Sequence, residues 1–122
     1  MRISESAEDY LEQVLIQSER HGAARSIDIA NALNVSKASV SIAMKKLCRE
    51  NYVVFDEDHL ICLTESGRAI AERIYNRHVR LTGFLISLGV PREIAEEDAC
   101  RIEHDISEAS FQALCQTCQA AG

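Results

Sequence analysis

The stretch from Tyr52 to Thr64, YVVFDEDHLICLT, does most to restrict what this chain can fold into. Two β-prone runs, Tyr52–Phe55 and Leu60–Leu63, flank the polar segment DEDH, which is the pattern of a β-hairpin. The segments on either side carry apolar residues at helical spacing instead. Upstream, RSIDIANALNVSKASVSIAMKKLCREN divides into two short helices joined by a tight connection. The first is predicted over Ser26 to Leu33, with Ile27, Ile29, Ala30 and Leu33 as packing residues, and Asn34 and Val35 make the turn. Ser36 caps the second, whose Val40, Met44 and Leu47 repeat at spacings of four and three and face the core.

The flanking segments extend this pattern. Residues 4 to about 20, SESAEDYLEQVLIQSER, read as an amphipathic helix capped by Ser4 or Ser6, with Leu11, Val14, Leu15 and Ser18 on one face. After the hairpin, Thr64 caps a long helix running to about Leu88, in which Gly67 is a mild cost. Gly89 supplies the stop, and Pro91 suits the first turn of a helix that carries ACRIEH and ends near Asp105. Ser107 caps a last helix, EASFQALCQTCQA. Helices followed by a hairpin are the order of a winged helix-turn-helix.

That order directs attention to charge. A net charge of −6 over 122 residues argues against indiscriminate binding to polyanions, but a local basic face can still dock on phosphate. The helix capped by Ser36 presents Lys37, Ser39, Ser41, Lys45 and Lys46 on the side away from its apolar stripe, and Arg25 precedes the pair. Hydroxyls near the helix start reach base edges or phosphates, and lysines anchor the backbone of double-stranded DNA. The plainer reading is a solvated face, or a winged helix used for protein contacts. The acidic hairpin tip is a poor DNA probe, with only His59 suited to help. No apolar run approaches the roughly 18 residues of a membrane span. With no signal-peptide pattern after Met1, the expectation is a soluble cytoplasmic protein that no membrane partner holds.

A second constellation lies in the acidic part of the chain. Cys100, Glu103 and His104 stand at i, i+3 and i+4, and Asp9 and Glu12 sit one turn apart on the first helix. His78 lies on the long helix. Imidazole, carboxylate and one thiolate together suit Fe(II), Mn(II), Co(II) or Zn(II), and are too rich in nitrogen and sulfur for a dedicated calcium site. Each residue also has a plainer role: first-turn acids favour the helix dipole, and a lone cysteine is commonly a small buried hydrophobe.

At this point AEDYLEQ, SKASVS, LTESGRAIAERI, the Arg77–His78 pair and DACRIEHDIS together resemble the DtxR/MntR family of iron- and manganese-dependent transcriptional repressors, over nearly the whole chain. The resemblance implies a mainly α fold, with a winged helix-turn-helix and small β-hairpin wing over 1–63 and an α-helical metal-binding and dimerisation domain over 64–122. It implies a homodimer on operator DNA with divalent Fe or Mn as corepressor. Asp9, Glu12, His78, Glu103 and His104 match metal ligands of manganese-type members. Cys100 matches the iron type instead, whereas Asp9 stands where that type has methionine. The iron type's ancillary carboxylate and histidine are Thr82 and Glu96 here, and the expectation is a short form without the SH3-like third domain of longer members. The expected main site uses Asp9, Cys100, Glu103 and His104, with Glu12 and His78 binding a second metal or supporting the first.

Five cysteines, Cys48, Cys62, Cys100, Cys115 and Cys118, form no disulfide framework. Cys48 and Cys62 read as core residues. One C-x-x-C pair, Cys115 and Cys118, falls short of a zinc ribbon, which needs two. Two competing functions follow from the same residues: a thiol-sensing repressor using Cys100 or the Cys115–Cys118 pair, and a metal-dependent hydrolase. The hydrolase lacks a separate acid/base or nucleophile motif, and the chain is not expected to be an enzyme.

Overall fold

A computed structural model describes residues 3–121, with side chains described through Gln116. The chain divides into two compact units, Met1–Arg73 and Ile74–Gly122, each with its own apolar centre.

The first unit opens with α1 (Glu5–His21). Ser4 caps it by accepting a hydrogen bond from the Ala7 N–H at 3.2 Å, and Gly22 ends it in the left-handed conformation at φ 75°. The helix pair follows as α2 (Ser26–Leu33) and α3 (Lys37–Arg49). Asn34 makes the turn between them at φ 56°, a conformation that its short polar side chain tolerates. The hairpin strands β1 (Val53–Phe55) and β2 (Ile61–Leu63) pair antiparallel, with Val53 opposite Leu63 and Phe55 opposite Ile61. Asp56 Oδ1 closes the hairpin by accepting from the N–H groups of Asp58 at 2.8 Å and Leu60 at 3.0 Å. Leu11, Val14, Ile29, Val40, Met44, Val53 and Ile61 fill the core. This is a helix-turn-helix with a two-stranded wing.

Three details correct the expectations. Ile27 is 44% exposed: it stands two positions before Ile29, about 200° around the helix, so Ile29 and Ala30 take the core face without it. Cys48 is exposed, because it follows Leu47 by about 100° and so leaves the Val40–Met44–Leu47 stripe, while Cys62 is half-buried. Gly67 is a requirement rather than a mild cost. It lies in the first turn of α4 (Glu65–Ser87), where an added Cβ would run into the Tyr52 carbonyl. Thr64 makes the same junction, donating its hydroxyl to the Asn51 carbonyl at 2.7 Å and capping the Gly67 N–H at 3.1 Å.

In the second unit, the rest of α4 packs with α5 (Arg92–Ile102) and α6 (Glu108–Ala121) around Leu81, Ala99, Phe111 and Cys115. Gly89 turns the chain at φ 98°, and Pro91 stands just outside α5 as its N-cap. The helix carrying ACRIEH ends earlier than expected. Glu103 keeps helical dihedrals and its N–H bonds to the Ala99 carbonyl at 2.9 Å, but His104 already begins the connection to α6. Ser107 caps α6 through the Ser110 N–H at 3.1 Å. No helix among the described residues is long and apolar enough to cross a membrane.

Candidate metal centre and nucleic-acid interface

In the second unit four of the sequence-selected donors, His78, Cys100, Glu103 and His104, come together around Glu103. The Glu103 carboxylate is fully buried. Its Oε2 lies 2.9 Å from His78 Nδ1, and its Oε1 lies 3.6 Å from His104 Nε2. His78 projects from α4, and Glu103 and His104 from the end of α5, so the contact joins positions 25 residues apart. A buried carboxylate in contact with two imidazoles, with a thiol nearby, offers oxygen, nitrogen and sulfur donors. Donors of these kinds fit a divalent transition metal, which Glu103 would hold together with the neighbouring His78, Cys100 and His104 side chains. Cys100, one turn earlier, is exposed. Exposure does not separate it from the buried donors: its Sγ lies within 4.8 Å of a Glu103 carboxylate oxygen.

In the first unit Asp9 is half-buried and Glu12 is 6% exposed. Burial of Glu12 is informative, since an acid serving only the helix dipole needs no burial. Its neighbour Glu8, also buried, accepts from Arg73 at 3.0 Å.

The DNA-facing candidates all lie on the solvent side of the first unit. Ser36, Lys37, Ser39, Ser41, Lys45 and Lys46 are exposed along α3, and Arg25 is exposed at the start of α2. Ser36 Oγ accepts from the Ser39 N–H at 3.1 Å and bonds the Ser39 hydroxyl at 3.0 Å, so these two residues also shape the helix start. Sequence reasoning missed Ile42. At 71% exposure it is the most exposed large hydrophobe described, and it sits between the lysines on the outward face of α3. The signal was available: position 42 lies two residues past Val40, on the opposite side of the helix. Arg49, exposed at the end of α3, adds one more cation. Below this face Arg25, Lys37 and His59 line a shared cleft with Ile27 and Asp58.

A helix-turn-helix with a short wing, followed by a helical unit that gathers imidazole and carboxylate donors, defines a metal-dependent transcriptional regulator. Comparison with known proteins agrees on both halves. Residues 2–59 match the iron dependent repressor N-terminal DNA binding domain, and residues 64–120 match the iron dependent repressor metal binding and dimerisation domain. The HTH-type transcriptional regulator MntR of Geobacillus kaustophilus is 41% identical over 102 residues, 84% of this chain and 72% of that protein. Among solved structures, IdeR of T. acidophilum superposes with a TM-score of 0.80 at 30% identity, covering 96% of this chain and 55% of that one. The manganese regulator SloR gives 0.81 at 29% identity, covering 98% and 55%. The chain therefore spans about half the length of those solved proteins. It belongs to the DtxR/MntR family of iron- and manganese-dependent repressors, a family of transcriptional regulators and not of enzymes.

Proposed function

We propose that this chain represses transcription by binding double-stranded operator DNA as a homodimer, with Fe(II) or Mn(II) as corepressor, in the cytoplasm. The observation that carries the reading is the buried Glu103 carboxylate between His78 Nδ1 and His104 Nε2. Asp9 and Glu12 on α1, with Cys100 on α5, complete the ligand set. Asp9, Cys100, Glu103 and His104 form the main site, and Glu12 and His78 bind a second ion or support the first.

Several carboxylates in one site repel one another, and a divalent cation supplies the charge that offsets this repulsion. Because the metal binds one arrangement of the chain better, it shifts the population toward that arrangement. The favoured state fixes the separation of two α3 helices in the dimer, which matches half-sites one or more turns of DNA apart. Arg25, Lys37, Lys45 and Lys46 contact phosphates, while Ser36, Ser39, Ser41 and Ile42 approach base edges. Ile42 suits a thymine methyl, the one apolar group in the major groove. The apolar stretch LTGFLISLGV and α6 bury against the second copy.

The test needs no assumed operator. Reduced protein is mixed anaerobically with sheared DNA from its own genome, and bound fragments are recovered with chelator, Mn(II), Fe(II) or Zn(II). Discrete fragments enriched only with metal are the expected result, and the most effective ion identifies the corepressor. Equal enrichment with chelator refutes metal control.

A further inference from the structure

We propose that Arg77 is a positioning residue for the metal ligands: it holds the backbone between α5 and α6 so that Glu103 and His104 meet His78. The inference rests on the metal reading above and concerns a residue outside its ligand set.

Arg77 is only 6% exposed, although it carries a charge that cannot be shed. Its Nη1 donates to two backbone carbonyls, Glu103 at 3.0 Å and Ile106 at 3.0 Å. Its Nη2 donates to Glu108 Oε1 at 2.9 Å, and the guanidinium carbon lies 5.3 Å from the centre of the Phe111 ring. One side chain thus grips both ends of the 103–106 segment and the first two turns of α6.

The segment needs such a grip. A helix end leaves its last carbonyls without intrahelical partners. Helices commonly resolve this with a glycine in the left-handed conformation, as Gly22 does for α1. The connection between α5 and α6, residues 103–107, contains no glycine and no positive φ. The Glu103 and Ile106 carbonyls turn to Arg77 instead, whose planar fork supplies several donors in fixed directions. Fixing the Glu103 carbonyl fixes the peptide that joins Glu103 to His104, the two ligands on this side of the site. Arg77 also precedes His78 on α4, so one turn of that helix supplies a ligand and orients the other two.

The test uses the full chain with Arg77→Lys, which keeps charge but loses the fork, and Glu108→Ala, which removes only the anchor at the surface-exposed end. Mn(II) affinity is read from the free-ion paramagnetic resonance signal, Co(II) coordination from its visible bands, and folding without metal from far-UV circular dichroism. Losing a group that orients metal ligands typically weakens metal binding by about 10- to 100-fold. That loss is expected for folded R77K, with displaced cobalt bands. A residue that merely stabilises the fold would lower the melting temperature without metal and leave affinity and bands unchanged. That result in folded R77K overturns the proposal. If R77K does not fold, E108A decides: weaker Mn(II) binding with displaced bands supports the proposal, and wild-type values overturn it. Failure of the wild-type chain to bind either ion overturns the metal reading and this inference together.

Discussion

Gly67→Ala separates two physical arguments that disagree in sign. Helix propensity alone favours alanine by about 1 kcal/mol, because glycine is the more flexible residue in the unfolded chain. The structure reverses this. A Cβ at position 67 runs into the Tyr52 carbonyl oxygen and lies 2.9 Å from its carbonyl carbon. Tyr52 has nowhere to retreat: its N–H bonds to the Leu47 carbonyl at 2.9 Å, and its own carbonyl accepts from the Thr64 N–H at 3.0 Å. Relief breaks one of these bonds, at about 1 kcal/mol or more, and displaces packed backbone, at about 1–3 kcal/mol. With the propensity gain subtracted, the net loss is about 1–3 kcal/mol. For a chain of this size that corresponds to a melting temperature lower by about 3–15 °C. Urea unfolding followed by far-UV circular dichroism, with thermal melts beside it, measures the change. A G67A protein as stable as wild type, or more stable, refutes the packing argument.

The other expectations are smaller in scale. Ser36→Ala removes the acceptor of the Ser39 N–H and should destabilise the first unit by about 1 kcal/mol, read from the same urea transition. Lys45→Ala should weaken binding to all DNA sequences alike and reduce the slope of log affinity against log salt by about one. Ile42→Ala should instead relax the preference for thymine at one operator position with the salt slope unchanged, as read by competition among single-base operator variants. Native protein treated with a thiol reagent should modify Cys48 and Cys100 quickly and Cys115 slowly, because only the last of these is buried. Mass spectrometry of digested samples gives the order, and rapid labelling of Cys115 would refute its burial.

Local hydrogen bonding explains why so much of the fold was legible in one dimension. Ser4, Ser36, Thr64 and Ser107 each cap the N–H three residues on, and such bonds depend on nothing beyond their own short segment. The same is true of the αL turn at Asn34 and of the hairpin closed within residues 56–60. The end of α5 was less legible, since the connection beyond it is stabilised from Arg77, far back in the chain. Cys118 lies outside the described side chains, so the pairing of Cys115 and Cys118 rests where the sequence left it.

The sequence by itself determined the elements, their caps and order, and a set of donors whose chemistry suits a divalent transition metal. Tertiary structure alone decided that Glu103 is fully buried against His78, that Gly67 admits no side chain, and that Arg77 holds the segment bearing two candidate ligands. The physical reason is range. A cap or turn is fixed by neighbours within four residues, whereas burial and long-range polar contacts depend on how helices cross, which no spacing in the sequence records.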